Sequence, residues 1–193
     1  MEVIMTLQEF KAALLDAKEI IQDNARRMGR DAKAYCHWTG GDYNTDSDDY
    51  HICIRGDGTI INTLPLYMTP EATYRRNTGS IAITLDCCRG YTAWSHEDVE
   101  LGDCPPTDAQ IECLAQVIAV VCDVMEMPVD IQHVMTHAEA ADNMDGEYYH
   151  EPYGPENGCE RSDLTILHAG EEWMSGGDIL RGKAIFYMNQ RSA

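Results

Sequence analysis

The chain has 193 residues, 44% of them apolar and 24% charged, a composition that buries the core of one ordinary domain. Acidic residues outnumber basic ones by 33 to 14, for a net charge of −19. This excludes nucleic acid and anionic membrane surfaces as expected partners, since both are gripped by clustered Lys and Arg. The longest apolar run, Gln116 to Cys122, is far too short to cross a bilayer.

In chain order, Met1 to Thr6 lacks the basic and apolar regions of an export signal, so synthesis in the cytoplasm is expected. Thr6-Leu-Gln-Glu9 has the spacing of a capping box, and Phe10, Leu14, Ala17, Ile20 and Ile21 follow at helical period, with Gly29 as the stop. Ala34 to His37 reads as a buried strand that turns at Gly40-Gly41, and Asp42 to Asp49 as a solvated acidic loop. Tyr50–Arg55 and Thr59–Thr63 flank Gly56-Asp-Gly58, which marks a hairpin. Ser80–Leu85 reads as a further strand. Thr107-Asp-Ala-Gln110 opens a second helix, with Ile111, Leu114, Ala115, Ile118, Val121, Cys122 and Met125 as its buried stripe and Met127-Pro128 as its end. His133–His137 reads as a short strand, Asp142 to Ser162 as a long loop, and Ser175-Gly-Gly177 as a turn. Interleaved helices and strands predict an α/β sheet with helices on its faces, in a single domain. The eight cysteines contain no Cys-x-x-Cys pair, so they are expected as small, reduced core residues rather than a zinc knuckle or disulfide frame.

Three strand-to-loop junctions carry the chemistry: His37-Trp38-Thr39, His137-Ala138-Glu139 and Glu160-Arg161-Ser162-Asp163. Two imidazoles and a carboxylate suit a zinc ion that keeps a fourth position for water, and such an ion suits amide hydrolysis. Spacing alone leaves open whether His37 and His137, about a hundred residues apart, meet. A non-haem iron site on His137, Glu139 and His168 is the competing reading of the same residue types.

The order of His37-Trp-Thr, Tyr50-His-Ile-Cys-Ile-Arg-Gly-Asp-Gly58, Arg76-Asn-Thr-Gly-Ser-Ile-Ala-Ile83, Thr107-Asp-Ala-Gln110, Thr136-His-Ala-Glu139 and Glu160-Arg-Ser-Asp-Leu164 resembles the zinc-dependent N-acetylmuramoyl-L-alanine amidases, the family of phage lysozymes, muropeptide-recycling amidases and peptidoglycan recognition proteins. Together with Gly176 to Ala184, the pattern is most similar to prophage endolysins. The resemblance covers residues 33 to 187 and leaves 1 to 32 as a helix packed on that core. It implies a central mixed sheet flanked by helices, and hydrolysis of the amide between N-acetylmuramic acid and L-alanine. Implied partners are peptidoglycan or a muropeptide, reached after holin action or lysis. The alternatives are a recycling role in the cytoplasm or a non-catalytic wall-binding module.

Carried over by position, the resemblance implies His37, His137 and Asp163 as ligands of Zn2+, with Cys159 the alternative third donor. Tyr50 and Arg161 are implied as hydrogen-bonding and electrostatic partners of the reacting oxygen. Thr84 stands where recycling relatives carry a Glu, so proton transfer is expected to fall to Tyr50, Glu139 or the zinc-bound hydroxide, with orientation of His137 as the other reading of Glu139. Trp38, Thr39 and Asn77 are expected at the substrate, wall packing being the alternative for Trp38 and loop fixing for Asn77. Ser162, where prophage relatives carry Trp, departs from the pattern.

Overall fold

The computed structural model describes residues 2–95, 98–147 and 161–191. Eight strands are β1 (Val3–Met5), β2 (Lys33–Trp38), β3 (Ile52–Ile54), β4 (Ile60–Asn62), β5 (Ser80–Leu85), β6 (Thr92–Ser95), β7 (Asp98–Glu100) and β8 (Val134–Thr136). Four helices are α1 (Leu7–Arg27), α2 (Asp108–Met125), α3 (His137–Ala141) and α4 (Gly176–Arg191). Six strands form one mixed sheet in the order β1-β4-β3-β5-β2-β8, and β6 with β7 makes a separate two-stranded ribbon. Strands β3, β5, β2 and β8 run parallel, while β4 is antiparallel to both β1 and β3.

Alternation along the strands divides the sheet chemically. Ala34, Cys36, Ile52, Ile54, Ile81, Ile83 and Leu85 lie in one apolar cluster with α1, α2 and α4. The opposite face presents Tyr35, His37, His51, Cys53 and Thr84, every one buried. The short helix α3 sets Ala140 against Tyr35 and Met135 there, and loops cover the rest.

Both expected capping boxes form, Thr6 with Glu9 and Thr107 with Gln110. Helix α2 is buried on more sides than the stripe predicted, since Val117, Ala119, Val120 and Val124 are also enclosed. Ile20, expected inside, is 47% exposed. The C-terminal end of α1 rests on Gly79, whose φ is +72° and where a Cβ would stand 2.3 Å from the Ala25 nitrogen. Only glycine permits that approach.

Several elements depart from the sequence reading. β1 pairs Val3, Ile4 and Met5 with Asn62, Ile61 and Ile60 in a stretch given no structure. The β6–β7 ribbon was not anticipated, and Gly176-Gly177 opens α4 instead of forming only a turn. The seven described cysteines are free thiols, six of them buried. Among the described residues no helix is long and apolar enough to cross a membrane.

Candidate active site

Three chain segments converge at the C-terminal ends of β2 and β8. His37 is the fifth residue of β2, in register with Thr84 of β5. His137 follows β8 and opens α3, whose first turn is fixed by Thr136 and Glu139 in a third capping box. Asp163 arrives from the far end of the chain. Its backbone oxygen accepts from Ala138 N–H at 3.4 Å, which ties it to the same helix start.

The three side chains form a tight triangle. His37 Nδ1 stands 3.1 Å from His137 Nδ1, and each ring nitrogen is 3.3 Å from Asp163 Oδ2. All three residues are buried. Neighbouring donors around a tetrahedral ion with bonds of about 2.0 Å stand about 3.3 Å apart, so this donor set fits a small divalent ion and could hold one. Burial opposes the charge on Asp163, but the two imidazoles outweigh it and hold the carboxyl well below its usual range.

Each donor is braced from behind. His37 Nε2 pairs with Thr73 Oγ1 at 3.2 Å. With Nδ1 given to an ion, Nε2 carries the proton and donates to that hydroxyl, fixing tautomer and ring plane. Asn77 Oδ1 accepts from the N–H of Thr73 at 2.7 Å and of Ala72 at 3.2 Å. Leu164, directly after Asp163, adopts φ +62°, a conformation that costs a non-glycine residue about 1–3 kcal/mol and persists where its surroundings over-determine it. Those surroundings include α4: a Cβ on Gly176 would lie 2.1 Å from the Leu164 oxygen.

The donors open onto a cleft of about 300 Å³ whose walls include Trp38, Thr39, Tyr50, Glu71, Tyr91 and Arg161. The Tyr50 ring lies 5.0 Å from that of His37. Burial first, then the charge of Asp163, push its phenol well above the usual tyrosine range, so it keeps its proton at neutral pH and can donate it to a hydrogen bond. Trp38 is only 3% exposed and packs on Tyr91 at 4.9 Å between centroids.

For Glu139 and Asn77 the structure favours the second of the two readings that the sequence left open. Glu139 is expected among the catalytic groups, yet its Oε1 and Oε2 accept from Arg181 at 2.8 and 2.9 Å, and Oε2 also accepts from Thr136 N–H. A carboxylate so engaged holds the start of α3, which carries His137, against α4. Asn77 does not line the cleft; it fixes the loop that carries Thr73. Cys159, the alternative third donor, lies outside the described residues. His168, needed for the iron reading, is instead paired with Glu171 and Asp108, which overturns that reading. His51, adjacent to Tyr50, accepts from Ala82 N–H and donates to the Met68 oxygen, and burial lowers its pKa to about 4. The sequence reading missed Thr73, Glu71 and Tyr91, which stand on irregular loops where no periodicity marks them.

The buried donor triangle at the end of the mixed sheet, open to a polar cleft, is a group able to take a metal. The chain belongs to the N-acetylmuramoyl-L-alanine amidase family, whose pattern matches residues 17–149. It is therefore an enzyme that cleaves the amide joining N-acetylmuramic acid to L-alanine. Asp163 and Arg161 lie beyond the matched span, so their assignment rests on the geometry above. Among solved structures the chain is similar to the endolysin N-acetylmuramoyl-L-alanine amidase LysCS from Clostridium intestinale, at 16% identity and a TM-score of 0.41 over 55% of this chain and 68% of that one. No curated protein sequence matches the chain.

Proposed function

We propose that the amidase reaction takes place at His37, His137 and Asp163 with zinc as the ion, on peptidoglycan, in phage or prophage lysis. The observation that carries this reading is the buried triangle of two imidazole nitrogens and one carboxylate oxygen at 3.1–3.3 Å, beneath a polar cleft. The lysis role rests on the sequence resemblance to prophage enzymes. Residues 33 to 187 form the catalytic unit in this reading, with 1 to 32 packed on it.

A zinc ion held by these residues would bring the pKa of a water toward 7 and polarise the scissile carbonyl. The chain's own groups supply the rest. Tyr50, kept neutral, donates a hydrogen bond to the carbonyl oxygen as it gains charge. Arg161, a wall of the same cleft, adds fixed positive charge but cannot release a proton. Thr39 and the edge of Trp38 bound the pocket for the sugar or the peptide stem. Proton traffic from the attacking water to the leaving amine falls to Glu71, the one carboxylate besides Asp163 among the described residues lining the cleft. Thr84 has no titratable proton in this range, and Glu139 is bound to Arg181.

Purified peptidoglycan incubated with the zinc-loaded chain should release stem peptides with a free L-Ala amino group. His37→Ala should abolish both zinc retention and release. Glu71→Gln should lower turnover, with little change in KM. Full activity in a zinc-free His37→Ala protein would sink the metal assignment, and an unchanged turnover in Glu71→Gln would sink the role of that residue.

A further inference from the structure

The same polar sheet face carries a second group of metal-type donors. Asp46, Cys53 and Asp86 each contribute one ligand atom, all within 4.8 Å of one another. Cys53 is in register with Thr84, and Thr84 with His37. The group therefore stands two strand spacings from the candidate active site, roughly 10 Å away. That is too far to share a substrate atom with the first site.

Asp86 makes this more than an acidic cluster. Its side chain is fully buried, and among the described residues no backbone N–H, guanidinium or hydroxyl donates to either carboxylate oxygen. A buried carboxylate without a partner is costly, and the cost is removed by a cation or a proton. The side chain faces Asp46, whose oxygens both accept from Arg55. One guanidinium thus stands against two acids, so the pair holds either a proton or a cation. Burial and the neighbouring Asp46 raise the Asp86 carboxyl above its usual range. Cys53 accepts from the Ser47 N–H at 3.4 Å and donates to the Ser47 oxygen at 3.5 Å, and burial is the largest of the causes that lift the thiol to about 12. Two carboxylates, one thiolate, one guanidinium and one divalent cation together sum to zero charge.

We infer that Asp46, Cys53 and Asp86 bind a second divalent cation of the borderline, thiolate-accepting class, such as Zn2+ or Cd2+. Its role is structural. Asp46 belongs to the acidic loop, Cys53 to β3, and Asp86 directly follows β5, so the ion clamps to the sheet the loop that leads into Tyr50. When it binds, the Cys53 proton and the proton held between the two acids pass to solvent, and one sulfur–metal and two oxygen–metal bonds form.

The test is a count of ions and a spectrum. The full chain, stripped with chelator, reloaded with Zn2+ and desalted, should retain two ions by elemental analysis. His37→Ala should retain one, and so should Cys53→Ser and the isosteric Asp86→Asn. Titration with Cd2+ should give thiolate-to-metal charge-transfer absorption in the native chain and in His37→Ala, and lose it in Cys53→Ser. A native count of one that His37→Ala abolishes and Cys53→Ser leaves intact would overturn the second site and leave the amidase centre standing; a proton would then sit between the acids. A native count of one lost only in Cys53→Ser would support the second site and break the assignment of the first. Absorption that survives Cys53→Ser would overturn the thiolate ligand and with it the proposal.

Discussion

The two faces of the central sheet bury their residues equally well and do opposite work. On one, Ile52, Ile54, Ile81, Ile83 and Leu85 meet three helices in a continuous apolar cluster. On the other, His37, His51 and Cys53 are just as enclosed, and each relies on specific partners: His37 on Thr73, His51 on Ala82 and Met68, Cys53 on Ser47. Burial on the first face is the source of stability. On the second it has to be offset bond by bond, and what it yields is orientation. The apolar face tolerates shape-conserving change, whereas the polar one fails wherever a single partner is lost.

The contrast can be broken from either side. Ile83→Ala, on the apolar face, should cost about 3 kcal/mol, read as a lower midpoint in urea, while activity per folded molecule stays unchanged. A matching loss of specific activity would mean that the two faces are mechanically coupled. Tyr50→Phe should do the reverse. Hydrolysis should fall about 100-fold with the melting temperature and zinc content held, and unchanged kinetics would remove the phenol from the reaction. The smallest effect belongs to neither face. His168 bonds Glu171 at 2.7 Å and Asp108 at 3.2 Å, and Glu171 foremost raises its pKa above the ordinary value. A group whose folded pKa is raised stabilises fully below its unfolded value of about 6.5 and loses that contribution as pH rises through the folded value. His168→Ala should therefore lower stability at pH 5 and not at pH 9. The residue is 47% exposed on its side chain, so screening keeps the difference to a few tenths of a kcal/mol, about the worth of a surface pair.

Much of this was legible in the sequence because it repeats. The apolar runs of β2 and β5 and the stripes of α1 and α2 follow fixed periods, and the hairpin announces itself through Gly56-Asp-Gly58. What stayed hidden lacks a period. β1 is three residues long and exists through pairing with β4. Helix α4 begins Gly176-Gly177 and contains Gly182, so propensity argues against it. The Thr136–Glu139 box has the spacing that was read as a helix start at Thr6 and Thr107, but the carboxylate beside His137 drew a catalytic reading first. The donors His37, His137 and Asp163 were found through family resemblance. Thr73 and Glu71 belong to loops whose course is set by tertiary bonds such as Glu71 N–H to the Asp49 oxygen, and these have no local signature.

The seat of Gly176 against Leu164 carries a consequence for anyone trimming this enzyme. Helix α4 presses on the residue that follows Asp163, and Arg181 from the same helix grips Glu139 beneath His137. The tail is thus a buttress for two of the three donors, although it lies well past the span that marks the family. A minimal catalytic fragment cut at the edge of that span would keep most of the sheet and lose the grip on the centre.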